Sequence, residues 1–252
     1  MSNKRRNYQQ NQLIKDPPKD LTEHPFYGLK LDPEQQIFRD AIWDPEKTVV
    51  VCEAAAGVGK TLIALATANL LVEYGLKDGI LYIMSPTQEQ TQGYLPGTIE
   101  EKSAPYMQPL IDAMNTLEIS PYCLQTEDNI QGLKSGEAYI QFCTDTFLRG
   151  CNLENKVIIV DEMSNYYLNT LKKVLTRIHD NCKVILIGSL VQSDILHHKE
   201  REGFSPYLIA FKNEVANNGP HANKIAICEL HTNHRGWFSK FCDDVHDPFD
   251  YR

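Results

Sequence analysis

An α/β layered domain built on a parallel sheet is the fold class this sequence predicts. Three observations carry the prediction. Six short apolar runs recur along the chain: TVVVCEA (48–54), GILYIMS (79–85), AYIQFCT (138–144), KVIIVDE (156–162), KVILIGS (183–189) and KIAICEL (224–230). Several are apolar throughout rather than alternating, the pattern of strands buried on both faces. Helical apolar spacing fills intervals between them, over 60–74, 165–178 and 205–217, and this β-α-β rhythm favours right-handed crossovers.

Taken in order, residues 1–24 are rich in Asn, Gln, Lys, Pro and Asp with few large apolar groups, and read as a mobile tail. Residues 25–252 read as one domain, a length that suits a single α/β core. Trp43 falls within an apolar helical pattern and reads as core. The stretch 86–137, rich in Gly, Pro and Gln, reads as loops and short helices wrapped on that core. No internal repeat is present.

Composition narrows the function classes. The apolar fraction of 42% and charged fraction of 23% are those of a globular protein. No apolar run approaches the ~20 residues of a membrane span, and MSNKRRNYQQNQ has no apolar stretch behind its basic residues, so neither membrane nor secretion is expected. Seven cysteines without a C-x-x-C pair suit reduced thiols and a cytoplasmic location. A net charge of −8 counts against gripping nucleic acid by bulk charge, so any such contact needs a local basic surface.

The chemistry begins at EAAAGVGKT (53–61). A strand enters this loop and a helix leaves it, the context a phosphate-binding loop requires, with backbone N–H groups gathered at a helix N-terminus. Gly57 and Gly59 keep Cβ atoms away from a ligand, and Ala55, Ala56, Val58 and Leu62 complete the cradle. Lys60 is expected to reach the β- and γ-phosphates of ATP, and Thr61 to place its hydroxyl on Mg²⁺. The usual form, G-x-x-x-x-G-K-S/T, would put glycine where this chain has Ala54. About 100 residues on, VIIVDE (157–162) ends a strand in two carboxylates. Asp161 is expected to hold Mg²⁺ and Glu162 to activate the attacking water. In VILIGSLVQSD (184–194), Gln192 is the candidate γ-phosphate sensor, since an amide both donates and accepts. In LDPEQQ (31–36), Gln35 rather than Gln36 is the candidate for reading the adenine edge.

AAAGVGKT (54–61) resembles the P-loop of superfamily 1 and 2 helicases, written A-x-x-G-x-G-K-S/T, so Ala54 is an accepted variant there. GYLPGTIEEKSAPYMQPLIDAM (93–114) resembles the G-F/Y-L-P-G, E-K, P-Y segment of the PhoH family of ATP-binding proteins. FLRG (147–150), VIIVDEMSN (157–165) and LTR (175–177) look like that family in its order, and the resemblance spans roughly 30–245. It implies a RecA-like P-loop NTPase domain related to the first motor domain of superfamily 1 helicases, with ATP binding and hydrolysis and links to RNA handling. The chain departs from the family pattern at Ser164, where Gln is usual, at Ser189, where an acidic residue is usual, and at Ser85, where Arg is usual. Loss of the acidic residue bears on turnover more than on nucleotide binding.

Phosphoryl transfer needs positive charge on the γ-phosphate, and superfamily 1 helicases place arginine fingers on a second motor domain. With no sequence after residue 245 to build one, a neighbouring subunit is expected to supply the finger, in a head-to-tail homo-oligomeric ring, a hexamer being one such size. Arg235 in TNHRG resembles the family's late Arg element and is expected at the nucleotide of its own subunit. Arg149 and Arg177 are candidates for the neighbour's site or a pore lining.

Other constellations have plainer readings beside them. Cys228, His231, His234 and Cys242 suggest zinc, but C-x₂-H-x₂-H-x₇-C is not a standard spacing. His197 and His198 read as a solvated helix start, and Tyr94 and Tyr106 as local packing or a base-stacking surface. Two functions stand: a Mg²⁺-dependent ATPase, helicase-related and acting on single-stranded RNA or DNA, or a nucleotide-gated scaffold with little turnover. A small-molecule kinase would share the P-loop but not the L-P-G, E-K, P-Y segment.

Overall fold

The computed structural model describes residues 16–54, 57–85, 99–144, 153–190 and 203–243, the side chains of 99–104, 240 and 243 excepted. All six expected strands form, trimmed by no more than two residues at an end: β1 Val49–Ala54, β2 Ile80–Met84, β3 Ile140–Thr144, β4 Val157–Asp161, β5 Lys183–Gly188 and β6 Ile225–Leu230. They make one sheet in the order β3-β2-β4-β5-β1-β6, and every pairing is parallel. Every residue of β4 and β5 is buried, which is why those segments carry no polar alternation.

Seven helices flank the sheet among the described residues: α1 Pro33–Trp43, α2 Lys60–Glu73, α3 Ile99–Thr116, α4 Ile130–Ser135, α5 Leu168–Leu175, α6 Phe204–Ala216 and α7 Trp237–Asp243. Successive strand residues point to opposite faces, so the sheet carries two cores. On one face Ile159, Ile185 and Ile187 meet Phe38, Ile42, Leu65 and Leu110 from α1, α2 and α3. On the other, Ile158, Val160 and Leu186 meet Leu171, Val174, Phe204 and Leu208 from α5 and α6. Each such side chain, fully removed from water, stabilises the fold by ~1.5–3 kcal/mol before entropy is counted. Buried from Ile63 through Val72, α2 packs between α1 and α3 against the sheet, and its two buried polar residues, Thr67 and Asn69, are hydrogen-bonded to the Ile63 carbonyl and to Tyr27 and Glu73.

Two expectations change. The stretch 86–137 is not only loops and short helices, because α3 runs 18 residues through Pro105 and Pro109. Proline at 109 denies the carbonyl of residue 105 its helical donor. The stripe Leu110, Ala113, Met114 and Leu117, all buried, outweighs that loss by packing into the first core. At the start, Leu21 is fully buried and the Trp43 indole N–H donates to the Pro18 carbonyl at 3.2 Å, so the packed chain begins before residue 25. Residues 1–15 lie outside the described part. Trp43 itself is core, as expected.

Candidate functional site

The site lies at the carboxyl ends of the central strands. Leaving β1, the chain passes through Gly57 and Gly59, at φ of +74° and +80°, and enters α2 at Lys60. These are left-handed conformations that a side-chain-bearing residue adopts only at a cost. Close approach adds to that demand. A Cβ at Gly57 would lie 2.9 Å from Arg235 Cδ, and one at Gly59 3.2 Å from Gln35 Nε2. Ala55 and Ala56 fall outside the described residues. Val58 is core, and its carbonyl accepts from Gln35 Nε2 at 2.9 Å, while Leu62 packs half-buried against the same core.

Across the crevice, β4 delivers Asp161, 1% exposed. Its Oδ2 accepts from the Thr61 hydroxyl at 2.7 Å and from the Tyr82 hydroxyl at 2.7 Å, and its Oδ1 accepts from the Glu162 backbone N–H at 2.8 Å. Burial pushes the Tyr82 phenol far up, and the neighbouring Asp161 carboxylate adds to the shift, so this hydroxyl stays a donor. Glu162 has left-handed backbone, φ 51° and ψ 46°. Such a conformation costs ~1–3 kcal/mol in a non-glycine residue and here turns the side chain back toward the loop. Its carboxylate Oε1 lies 3.2 Å from Nζ of the buried Lys60. Lys60, Thr61, Asp161 and Glu162 are thus brought together as their spacing implied.

The third wall comes from the segment after β6. The His234 backbone N–H donates to the Gly57 carbonyl at 3.0 Å, and the Arg235 stem lies over Gly57, so Arg235 is at the loop of its own chain. The same segment is clasped by the start of α1. Glu34 accepts from the His231 N–H at 2.7 Å, and Asp32 meets His234 Nε2 at 2.8 Å. Burial alone would raise the Asp32 carboxyl, but hydrogen bonds from the Gln35 N–H and His234 outweigh it and hold it below the usual range. Gln35 also caps α1 reciprocally with Asp32. Each end of its amide thus makes one hydrogen bond within the protein, joining α1 to the loop.

Arg177 is elsewhere. It is exposed in the loop 176–181 that leads into β5, at the opposite pole of the sheet from the phosphate-type loop. Gln192, Arg149, Tyr94, His197 and His198 lie outside the described residues. Among the described residues no group of three or more His, Cys, Asp or Glu is arranged to hold a metal, and His234 is taken up by Asp32. Sequence reasoning missed Tyr82, whose only signal is a lone phenol in the aliphatic strand ILYIM, and the Asp32–Gln35 capping box, which the D-x-x-Q spacing does announce. No helix among the described residues is long and apolar enough to cross a membrane.

The fold and the loop carry a family identity. Residues 30–231 match the family described as PhoH-like protein. The chain belongs to the PhoH-like family. Similar PhoH-like proteins include Protein PhoH2 of Bacillus subtilis, 32% identical over 164 residues that make up 64% of this chain and 34% of the relative. Protein PhoH of Escherichia coli is 31% identical over 153 residues, 59% of this chain and 41% of the relative. The PhoH-like protein of Mycobacterium leprae is 32% identical over 162 residues, 64% and 44% of the two chains. The chain thus spans less than half the length of these curated relatives. Among solved structures, the HK97 bacteriophage large terminase matches at TM-score 0.46 and 13% identity, covering 80% of this chain and 39% of that one. The Pyrococcus furiosus Hef helicase domain matches at 0.41 and 15%, covering 79% and 39%.

Proposed function

We propose that this PhoH-like chain binds and hydrolyses Mg²⁺-ATP, works as a head-to-tail homo-oligomer, and couples turnover to single-stranded RNA or DNA. The observation that carries the reading is the 2.7 Å contact between the Thr61 hydroxyl and Asp161 Oδ2, two groups 100 residues apart that meet above the strand ends. A hydroxyl and a carboxylate are hard oxygen donors, the set Mg²⁺ prefers, and the cradle at Gly57 and Gly59 has no room for side chains. Thr61 and Asp161 would hold the ion, and when bound it would neutralise charge building on the phosphate oxygens.

The chain's own residues do the rest. Lys60 already has the Glu162 carboxylate as partner, so a triphosphate competes with Glu162 for this ammonium. When the phosphate prevails, Glu162 is released to accept a proton from the attacking water. Backbone N–H groups of the loop and the start of α2 bind the phosphates, and Arg235 adds charge from above Gly57. Tyr82 orients Asp161 from below.

The test is steady-state hydrolysis of Mg-ATP with and without single-stranded RNA and DNA, Lys60→Ala serving as control. Turnover that vanishes in Lys60→Ala and falls at least ~10²-fold in Glu162→Gln with ATP binding retained is the expected result. ATP bound but not turned over would refute the enzyme reading in favour of a nucleotide-gated scaffold, to which the self-neutralising Lys60–Glu162 pair is also suited. Turnover indifferent to nucleic acid would remove the coupling.

A further inference from the structure

The helix that follows Glu162 presents a face that the phosphate-type loop does not use. In α5 and its C-cap, Asn169, Lys172, Lys173 and Thr176 follow the i, i+3, i+4, i+7 spacing of one helix side, and all four are exposed. Arg177, four residues past Lys173 and also exposed, carries the row into the next loop. The opposite side of the helix, Leu171 and Val174, is sealed in the second core. No acidic residue occurs between Glu162 and Asp180, so the row reads as uninterrupted positive charge. Carboxylates flank it at its ends: Glu162 in the site, and Asp180 with Glu154 at the entry pole, the last brought there by the hydrogen bond from the His179 N–H to the Leu153 carbonyl. At the end nearest the site stands Tyr167, 44% exposed. Cations in a last helical turn suit the helix dipole, but that accounts neither for Arg177 beyond the helix nor for the aromatic ring at its start.

We propose that this row is a track for a single nucleic-acid strand, its phosphates on Lys172, Lys173 and Arg177 and a base against Tyr167. A chain of net charge −8 needs a local basic surface to hold a phosphate backbone, and a basic row beside an aromatic ring is the composition of a single-strand site. A bilayer fits less well, because the apolar stripe of α5 is buried and the helix offers charge outward. The place of the helix suits coupling. Only five residues separate it from Glu162, and they are held firmly: Met163 and Tyr166 are fully buried, and the Tyr166 carbonyl accepts from the Gly203 N–H at 2.9 Å. Met163, Tyr166 and Leu171 share the second core, so a strand that shifts α5 acts on the backbone of Glu162, whose carboxylate lies 3.2 Å from Lys60. The track rests on the single-strand part of the proposed function, and its occupancy can be read without hydrolysis.

Fluorescence anisotropy of labelled oligo(U) and oligo(dT), titrated with salt, reads the track. Each phosphate neutralised on a single strand adds about −0.7 to the slope of log affinity against log salt. Lys172→Gln with Lys173→Gln should therefore flatten the slope by about 1.4 and weaken binding ~25-fold at about 0.1 M salt, while Lys172→Arg with Lys173→Arg keeps both. Lys19→Gln with Lys134→Gln, exposed lysines outside the row, removes the same charge and should change neither. Tyr167→Ala should weaken binding ~5-fold or more at an unchanged slope, the mark of lost stacking. Thermal melting at the wild-type temperature confirms that each variant folds. In ATP turnover, the lysine pair should keep the basal rate and lose stimulation by the strand. Binding undiminished in that pair, or lost equally in the Lys19 and Lys134 control, would overturn the track and leave coupling to another surface. Displacement by polyglutamate as readily as by unlabelled strand would make the row a seat for any polyanion and overturn it too. A wild type that binds neither strand overturns the track and the coupling together, and hydrolysis retained by that protein leaves the ATPase reading standing.

Discussion

Removing one oxygen atom, in Tyr82→Phe, tests how the centre of the site is held. The ring of Tyr82 is fully buried in β2 and its packing is unchanged by the substitution, so no cavity opens. What is lost is a 2.7 Å hydrogen bond to Asp161, a carboxylate that is 1% exposed. Hydrogen bonds to charged groups contribute ~1.5–3 kcal/mol, and the Asp161 carboxylate is closed off from bulk solvent. The variant should therefore lose about that much stability, which for a domain of this size lowers Tm by roughly 3–12 °C. Denaturant unfolding of wild type, Tyr82→Phe, Asp161→Asn and the double variant isolates the pair, and a coupling of ~1 kcal/mol or more is expected. A loss under ~0.5 kcal/mol with no coupling would refute the claim that Tyr82 supports the carboxylate, and would leave the ring as mere filling.

The remaining predictions concern the loop, the strained residue and a buried lysine. Gly57→Ala meets both a left-handed backbone and the Arg235 stem 2.9 Å away, so it should cost ~1–2 kcal/mol and lower turnover by displacing Arg235. Equal stability and activity would show the cradle to be looser than drawn. Glu162→Gly relieves the positive-φ strain but also leaves the buried Lys60 without its carboxylate, so hydrolysis should be lost while the two opposing effects leave the protein less stable by no more than ~2 kcal/mol, and melting with activity assays checks both. Lys183 is 4% exposed, donates to the carbonyls of Asp44 and Lys47, and is pulled by burial from 10.5 down to about 8. Below pH 8 it is charged in both states and the fold bears the full penalty. Between about pH 8 and 10.5 the unfolded chain holds a proton that the folded chain has shed, so stability rises with pH. Relative to Lys183→Met, wild type should gain about 3 kcal/mol across that window, and a flat difference would refute it.

Much of this was readable from the chain, for identifiable reasons. Strands buried on both faces leave long apolar runs, so β4 and β5 announce themselves, and a Lys-Thr at one helix start with Asp-Glu at a strand end defines the central crevice. The L-P-G, E-K, P-Y resemblance named the family correctly. The parts that were hidden share another cause. Two prolines disguised α3, whose buried stripe only tertiary packing rewards. Tyr82 looks like any core aromatic until Asp161 is placed opposite. The return of residues 231–235 to α1 spans about 200 positions, and contacts of that range leave no local trace in sequence.

That return has a bearing on how the protein comes into being. The loop wall needs His234, the last strand needs β1 as its neighbour, and Glu34 waits through 197 residues for its partner. During synthesis from the N-terminus, residues 33–61 emerge well before residues 231–235 and lack that wall until those have cleared the ribosome. A nascent chain stalled before residue 225 should leave its first-core helices protected yet capture no ATP, and capture by such a chain would show the late wall to be dispensable. Competence therefore waits for a late segment of the fold, residues 231–235, to fasten onto an early one.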